Sequence, residues 1–86
     1  MPVISTFYGI LIYMYWNDHA PPHFHAKYGE FQAIINIKYF SLMEGHLPPK
    51  ALGLVIEWAS IHQEELLKNW ELGVEGKTFN KIEPLN

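Results

Sequence analysis

Three of the five histidines fall within seven residues, in the run Asp18-His19-Ala20-Pro21-Pro22-His23-Phe24-His25. Imidazole changes charge near neutral pH, and in its neutral form it is a ready ligand for zinc and related ions. His23 and His25 stand two apart, so on a strand both rings leave the same face. The Pro21-Pro22 bend can return His19 or Asp18 towards them.

Three uses of this cluster follow, and the residues alone leave all three open. In the first, His19, His23 and His25 hold a divalent ion weakly, with Asp18 as an alternative third ligand. No other cofactor is expected. In the second, the cluster is a metal-independent ribonuclease site, with His23 and His25 as the acid–base pair and His19 beside them. Lys27 would then offset phosphate charge, Tyr13 and Tyr15 would stack on an unpaired base, and Asp18 would line the substrate. In the third, the histidines satisfy loop carbonyls or pack with the tyrosines in a homodimer interface, and carry no chemistry.

The elements that must position this cluster read as strands first and helix last. Val3 to Tyr8 and Ile10 to Trp16 are β-branched and aromatic, with Gly9 between them as a turn or bulge. Asn17 to Pro22 is a loop, because Asn and Asp favour turns and a Pro pair cannot sit in a central strand. His23 to Tyr28 and Phe31 to Lys38 are two further strands around a Gly29-Glu30 turn, and Leu42 to Leu47 is a short edge strand. Alternation puts Phe24, Ala26, Tyr28, Phe31, Ala33, Ile35 and Ile37 on the core face, together with Ile10, Ile12, Met14 and Trp16. It leaves Leu11, Tyr13, Tyr15, His23, His25, Lys27, Gln32, Asn36 and Lys38 on the outer face.

Pro48-Pro49 opens one long helix, about Pro49 to Leu72, whose stripe Ala51, Leu54, Val55, Trp58, Ile61, His62 and Leu66 packs on the sheet. His62 reads as a hydrogen-bonded core residue rather than a ligand. The expected fold is α+β: a mainly antiparallel sheet of four or five strands with one C-terminal helix on one face. It forms a single domain over 1–86, with a β-rich part at 1–47, helix at 48–75 and a polar tail at 76–86.

Composition narrows the functions. Hydrophobic residues are 49% and charged residues 17% of 86, which excludes disorder as the main state. There is no cysteine, so disulfide frameworks, thiolate metal sites and cysteine nucleophiles are excluded. The net charge is −3, and all six basic residues are Lys. Without Arg, bidentate contacts to phosphate or guanine are unavailable, and tight general nucleic-acid binding is disfavoured. The longest apolar stretch, Phe7 to Trp16, is ten residues, half of a membrane span. With no basic n-region at the start, a cytoplasmic protein is expected, and no membrane partner.

The pattern P-V-I-S-x-F-Y-G-I-x-I-Y-M-Y, followed by N-D-H-x-P-P-H-F-H-x-K-Y-G-E, resembles the small bacterial domain-of-unknown-function family forty-one sixty. So do E-G-x-L-P from Glu44, A-L-x-L-V from Ala51, E-E-L-L-x-N-W-E-L from Glu64 and K-I-E-P-L near the end. The resemblance covers essentially the whole chain, and Asp18, His19, His23, His25, Lys27 and Tyr28 fall in its most specific run. It implies one component of a toxin–antitoxin-like gene pair and hence a small cognate protein partner. It implies no settled activity. RNA cleavage on the histidine face and a non-catalytic interaction module that dimerises or binds its partner are the two functions to weigh.

Overall fold

The structure, a computed structural model, describes residues 2–86. Five strands, β1 (Val3–Phe7), β2 (Ile10–Tyr13), β3 (His23–Tyr28), β4 (Phe31–Asn36) and β5 (Leu42–Gly45), precede two helices, α1 (Pro49–Ile61) and α2 (Gln63–Val74). The strands form one antiparallel sheet in the order of the chain, β1-β2-β3-β4-β5. The α+β architecture is therefore as expected, with five strands and two helices rather than one.

Local chemistry explains the meander. Phe7 pairs with Ile10, so Tyr8-Gly9 is a two-residue hairpin loop. Both residues have positive φ (49° and 79°), the twist that such loops require, so Gly9 marks a turn and not a bulge. The second strand stops at Tyr13 instead of running on to Trp16. Trp16 leaves the core face for a stacked contact with Phe79 (ring centroids 5.1 Å), and its indole N–H donates to the Lys77 carbonyl. At the end of β4, Asn36 Oδ1 accepts from the backbone N–H groups of Lys38 and Tyr39, which closes the turn into β5.

The core lies between the sheet and the helices. Ile10, Ile12, Phe24, Ala26, Ile35 and Ile37 meet Ala51, Val55, Trp58 and Leu66 there, all buried. Trp58 is fully buried, and its indole N–H donates to the Glu83 carbonyl. Tyr28 and Phe31, assigned to the core by alternation, sit at the hairpin tip and stay partly exposed. The tail is fastened as well: buried Asn69 donates to the Asn80 carbonyl and accepts from the Asn80 N–H, both at 2.9 Å.

The single long helix is corrected by a break at His62 (φ −112°, ψ 24°). No Pro or Gly causes it. His62 caps both helices: its N–H donates to the Trp58 and Ala59 carbonyls, and its carbonyl accepts from Leu66. Its Nδ1 lies 2.6 Å from Glu65 Oε1, and Gln63 Nε2 donates to the Ile37 and Lys38 carbonyls. Glu64 and Glu65 also suit a helix N-terminus. Ile61, an expected stripe residue, ends α1 well round from the face that buries Ala51, Val55 and Trp58, and is 63% exposed. No helix among the described residues is long and apolar enough to cross a membrane.

Candidate metal centre

Register fixes which outer-face residues are neighbours. Tyr13 pairs with His25, His25 with Ile34, and Ile34 with Glu44, so these four form one row across β2 to β5. The His25 ring stacks on Tyr13 (centroids 5.0 Å, 15° between planes) and meets Tyr15 edge-on at 4.9 Å. Tyr13 is thereby covered by its own neighbours and only 4% exposed, whereas Tyr15 stays open to solvent. Burial, and then the neighbouring Tyr15, push the Tyr13 hydroxyl above its ordinary value.

The loop between β2 and β3 returns Asp18 onto His23 and His25. Asp18 Oδ2 lies 2.9 Å from His23 Nε2 and 3.3 Å from His25 Nε2. The other carboxylate oxygen accepts the His19 backbone N–H at 3.0 Å. Burial alone would raise the Asp18 carboxyl, but hydrogen bonds from His25 and His23, the charge of His23 and the His19 N–H outweigh it and hold the group below its usual value. Burial also holds the His25 imidazole below its ordinary value, against the opposing pull of Asp18. Near neutral pH the cluster therefore offers an ionised carboxylate and a neutral His25.

His23 is the informative member. Its Nδ1 lies 2.8 Å from the Pro21 carbonyl oxygen, which can only accept, so Nδ1–H is the donor. With that N–H given to Pro21, Nε2 is the ring nitrogen turned to the Asp18 carboxylate, 2.9 Å away. Trp70 of α2 closes over the same ring, centroids 5.0 Å apart, and His23 is 4% exposed.

The donor set suits a cation. One atom each from Asp18, His23 and His25 lie within 4.8 Å of one another. Around a tetrahedral ion with bonds of about 2.05 Å, donor atoms stand about 3.3 Å apart. The Asp18 oxygen meets both imidazole nitrogens within a few tenths of an ångström of that spacing, at 2.9 and 3.3 Å. A ligating histidine ordinarily gives its other N–H to a carbonyl or carboxylate, as His23 does to Pro21.

These three residues line a cleft of about 380 Å³ together with Tyr15, His19, Met43 and Glu44. It runs on into a second of about 340 Å³ that shares Tyr15, His25, Ile34 and Glu44 and adds Gln32. A groove of about 430 Å³ between α1 and the hairpin tips carries Lys50 but no acid and no histidine.

Of the residues singled out in the sequence, Asp18, His23, His25, Tyr13 and Tyr15 come together. His19 does not join the donor set: its side chain is 94% exposed, and its Nδ1 stands 3.5 Å from Asp18 Oδ1. Asp18, expected as a substrate contact or as the alternative third ligand, takes the central place. Lys27 pairs with Leu11 and Gln32 further along the face and lines neither cleft. Sequence reasoning missed Glu44, Met43 and Trp70. Glu44 was visible as an acid on an expected edge strand, but nothing in the sequence tied that strand to the histidines.

Fold and site together define a small α+β domain with a half-buried Asp-His-His cluster at a cleft on the outer sheet face. Residues 9–71 match the family model described as Domain of unknown function (DUF4160), and the chain belongs to that family. No curated protein and no solved structure matches it.

Proposed function

We propose that this domain binds a divalent transition-metal ion through Asp18, His23 and His25, with the remaining coordination positions open to the cleft. The observation that carries the reading is the convergence of three donor atoms: Asp18 Oδ2 lies 2.9 Å from His23 Nε2 and 3.3 Å from His25 Nε2. His23 is already oriented for this by the Nδ1–H it gives to the Pro21 carbonyl. Two imidazoles and one carboxylate with free positions suit Zn²⁺ or Fe²⁺ better than Ca²⁺ or Mg²⁺, which prefer all-oxygen sites.

The reading keeps the histidine face as the working surface and replaces proton shuttling by metal ligation. A metal-independent ribonuclease needs a free nitrogen on each histidine, and the His23 ring is buried with both nitrogens engaged. Zinc titration followed by calorimetry tests the proposal. One ion per chain is expected in the wild type, with affinity lowered at least about tenfold in Asp18→Asn and in His25→Gln. Uptake below about a tenth of an equivalent would sink it.

A further inference from the structure

Glu44 is placed at the candidate site by a specific irregularity of the sheet. Ile34 pairs with Glu44 and Ile35 with Leu42, so Met43 is an extra residue on β5. Neighbouring residues of a regular strand point to opposite faces, yet Met43 and Glu44 both line the cleft of the Asp-His-His cluster. The bulge allows this, and such bulges characteristically re-aim side chains beside functional sites. The next residue permits the close approach of β4. Gly45 has φ +83°, and a Cβ there would stand 2.1 Å from the Gln32 carbonyl oxygen.

The charges in the cleft restrict what enters it. Asp18 and Glu44 are its acids, and no Lys lines either cleft. A divalent ion there would be offset by two carboxylates, and no Lys or Arg side chain adds positive charge for a phosphodiester. A neutral carbonyl group meets no such penalty, and Tyr15, Ile34 and Met43 offer apolar surface for what is attached to it.

We infer that Glu44 is the general base of a metal-dependent hydrolytic site for neutral carboxylic esters or amides. The inference rests on the metal reading above. With an ion held by Asp18, His23 and His25 supplying Lewis-acid chemistry, Glu44 would take a proton from water as the water oxygen bonds to the carbonyl carbon. As the bond from carbon to the leaving oxygen or nitrogen breaks, Glu44 returns its proton to the leaving group. Ester plus water gives acid plus alcohol, or amide plus water gives acid plus amine, with no change of oxidation state.

The test compares zinc-loaded wild type and Glu44→Gln on 4-nitrophenyl acetate, with bis(4-nitrophenyl) phosphate as the anionic counterpart and zinc alone as the blank. Glu44 is exposed, so the variant is expected to fold, and circular dichroism checks this. The expected result is ester hydrolysis by wild type at least about tenfold above the blank, and a loss of about 10²-fold in Glu44→Gln. Zinc uptake should be equal in both proteins. Equal rates in the two zinc-loaded proteins, or wild type at the blank rate, overturn the role of Glu44 while leaving metal binding standing. Preference for the phosphodiester overturns the substrate class. Failure of the wild type to take up zinc, measured separately by calorimetry, overturns the metal reading and this inference with it, and loss of zinc uptake in Glu44→Gln alone overturns the role of Glu44 as a base.

Discussion

His23 Nε2 and Asp18 Oδ2 face each other at 2.9 Å, although the His23 ring already spends its Nδ1–H on the Pro21 carbonyl. The relationship joins a loop to the first residue of β3. His25, two residues on, approaches the same oxygen at 3.3 Å, so one carboxylate atom organises both rings. The pair is shielded by Trp70 on one side and opens to the cleft on the other. Partial burial of a polar trio with one open side is an arrangement that an ion can complete without unfolding anything.

Metal addition should raise thermal stability and a chelator should reverse the gain. At a hundredfold excess over the dissociation constant, linkage supplies about 2.7 kcal/mol. For a domain of this size that is roughly 10–20 °C in melting temperature. Asp18→Asn should show little of the shift. Differential scanning fluorimetry with and without zinc reads both arms.

The metal-free protein should lose stability on acidification. Asp18 and His25 both have folded-state values below their ordinary ones. Each therefore contributes stability that is complete above its unfolded value and is lost as the pH falls through the folded one. For His25 the loss begins below the ordinary 6.5, and for Asp18 below the ordinary 3.8. Urea melts between pH 7.5 and 5 should show a falling midpoint in the wild type and a flatter profile in His25→Gln. A midpoint that rises on acidification would contradict the assignment.

Two glycine substitutions should act in opposite directions. Gly45→Ala puts a Cβ against the Gln32 carbonyl and forces a positive φ, so a loss of about 1–3 kcal/mol is expected. Gly53→Ala lies inside α1 with open space around it and should stabilise by about 0.5–1 kcal/mol. Chemical denaturation of the two variants gives the signs directly.

Asn69→Ala should release the tail. It removes two hydrogen bonds to Asn80 from a fully buried amide and leaves the Asn80 N–H and carbonyl without those partners. A cost of about 1–3 kcal/mol is expected. Amide exchange should speed up at Asn80 and Ile82, whose N–H donates to the Ile4 carbonyl of β1. Unchanged exchange there would show that the tail is held by other contacts.

Much of the fold was legible because it rests on short-range rules. Alternation in residues 31–38 separates Ala33, Ile35 and Ile37 from the outer face, and β-branched runs broken by Gly9 and Gly29 fix the hairpins. The same rule placed His23 and His25 on one face. Two failures share a cause. The helix break at His62 has no Pro or Gly to announce it and depends on Gln63 reaching carbonyls 25 and 26 residues away. Trp16 leaves its expected face because Phe79 and the Lys77 carbonyl receive it from the far end of the chain.

The sequence by itself determined the α+β class, the core face of the sheet, the family and the presence of a histidine pair with an acid in reach. Those follow from residue type and spacing, which act over a few positions along the chain. Only the tertiary structure decided that Asp18 rather than His19 is the third member, because a loop's return path depends on what it packs against. It also decided that Trp70 covers His23 and that a bulge brings Glu44 to the cleft. Such contacts join residues far apart in sequence, and they are set by strand register and helix packing, which no local pattern encodes.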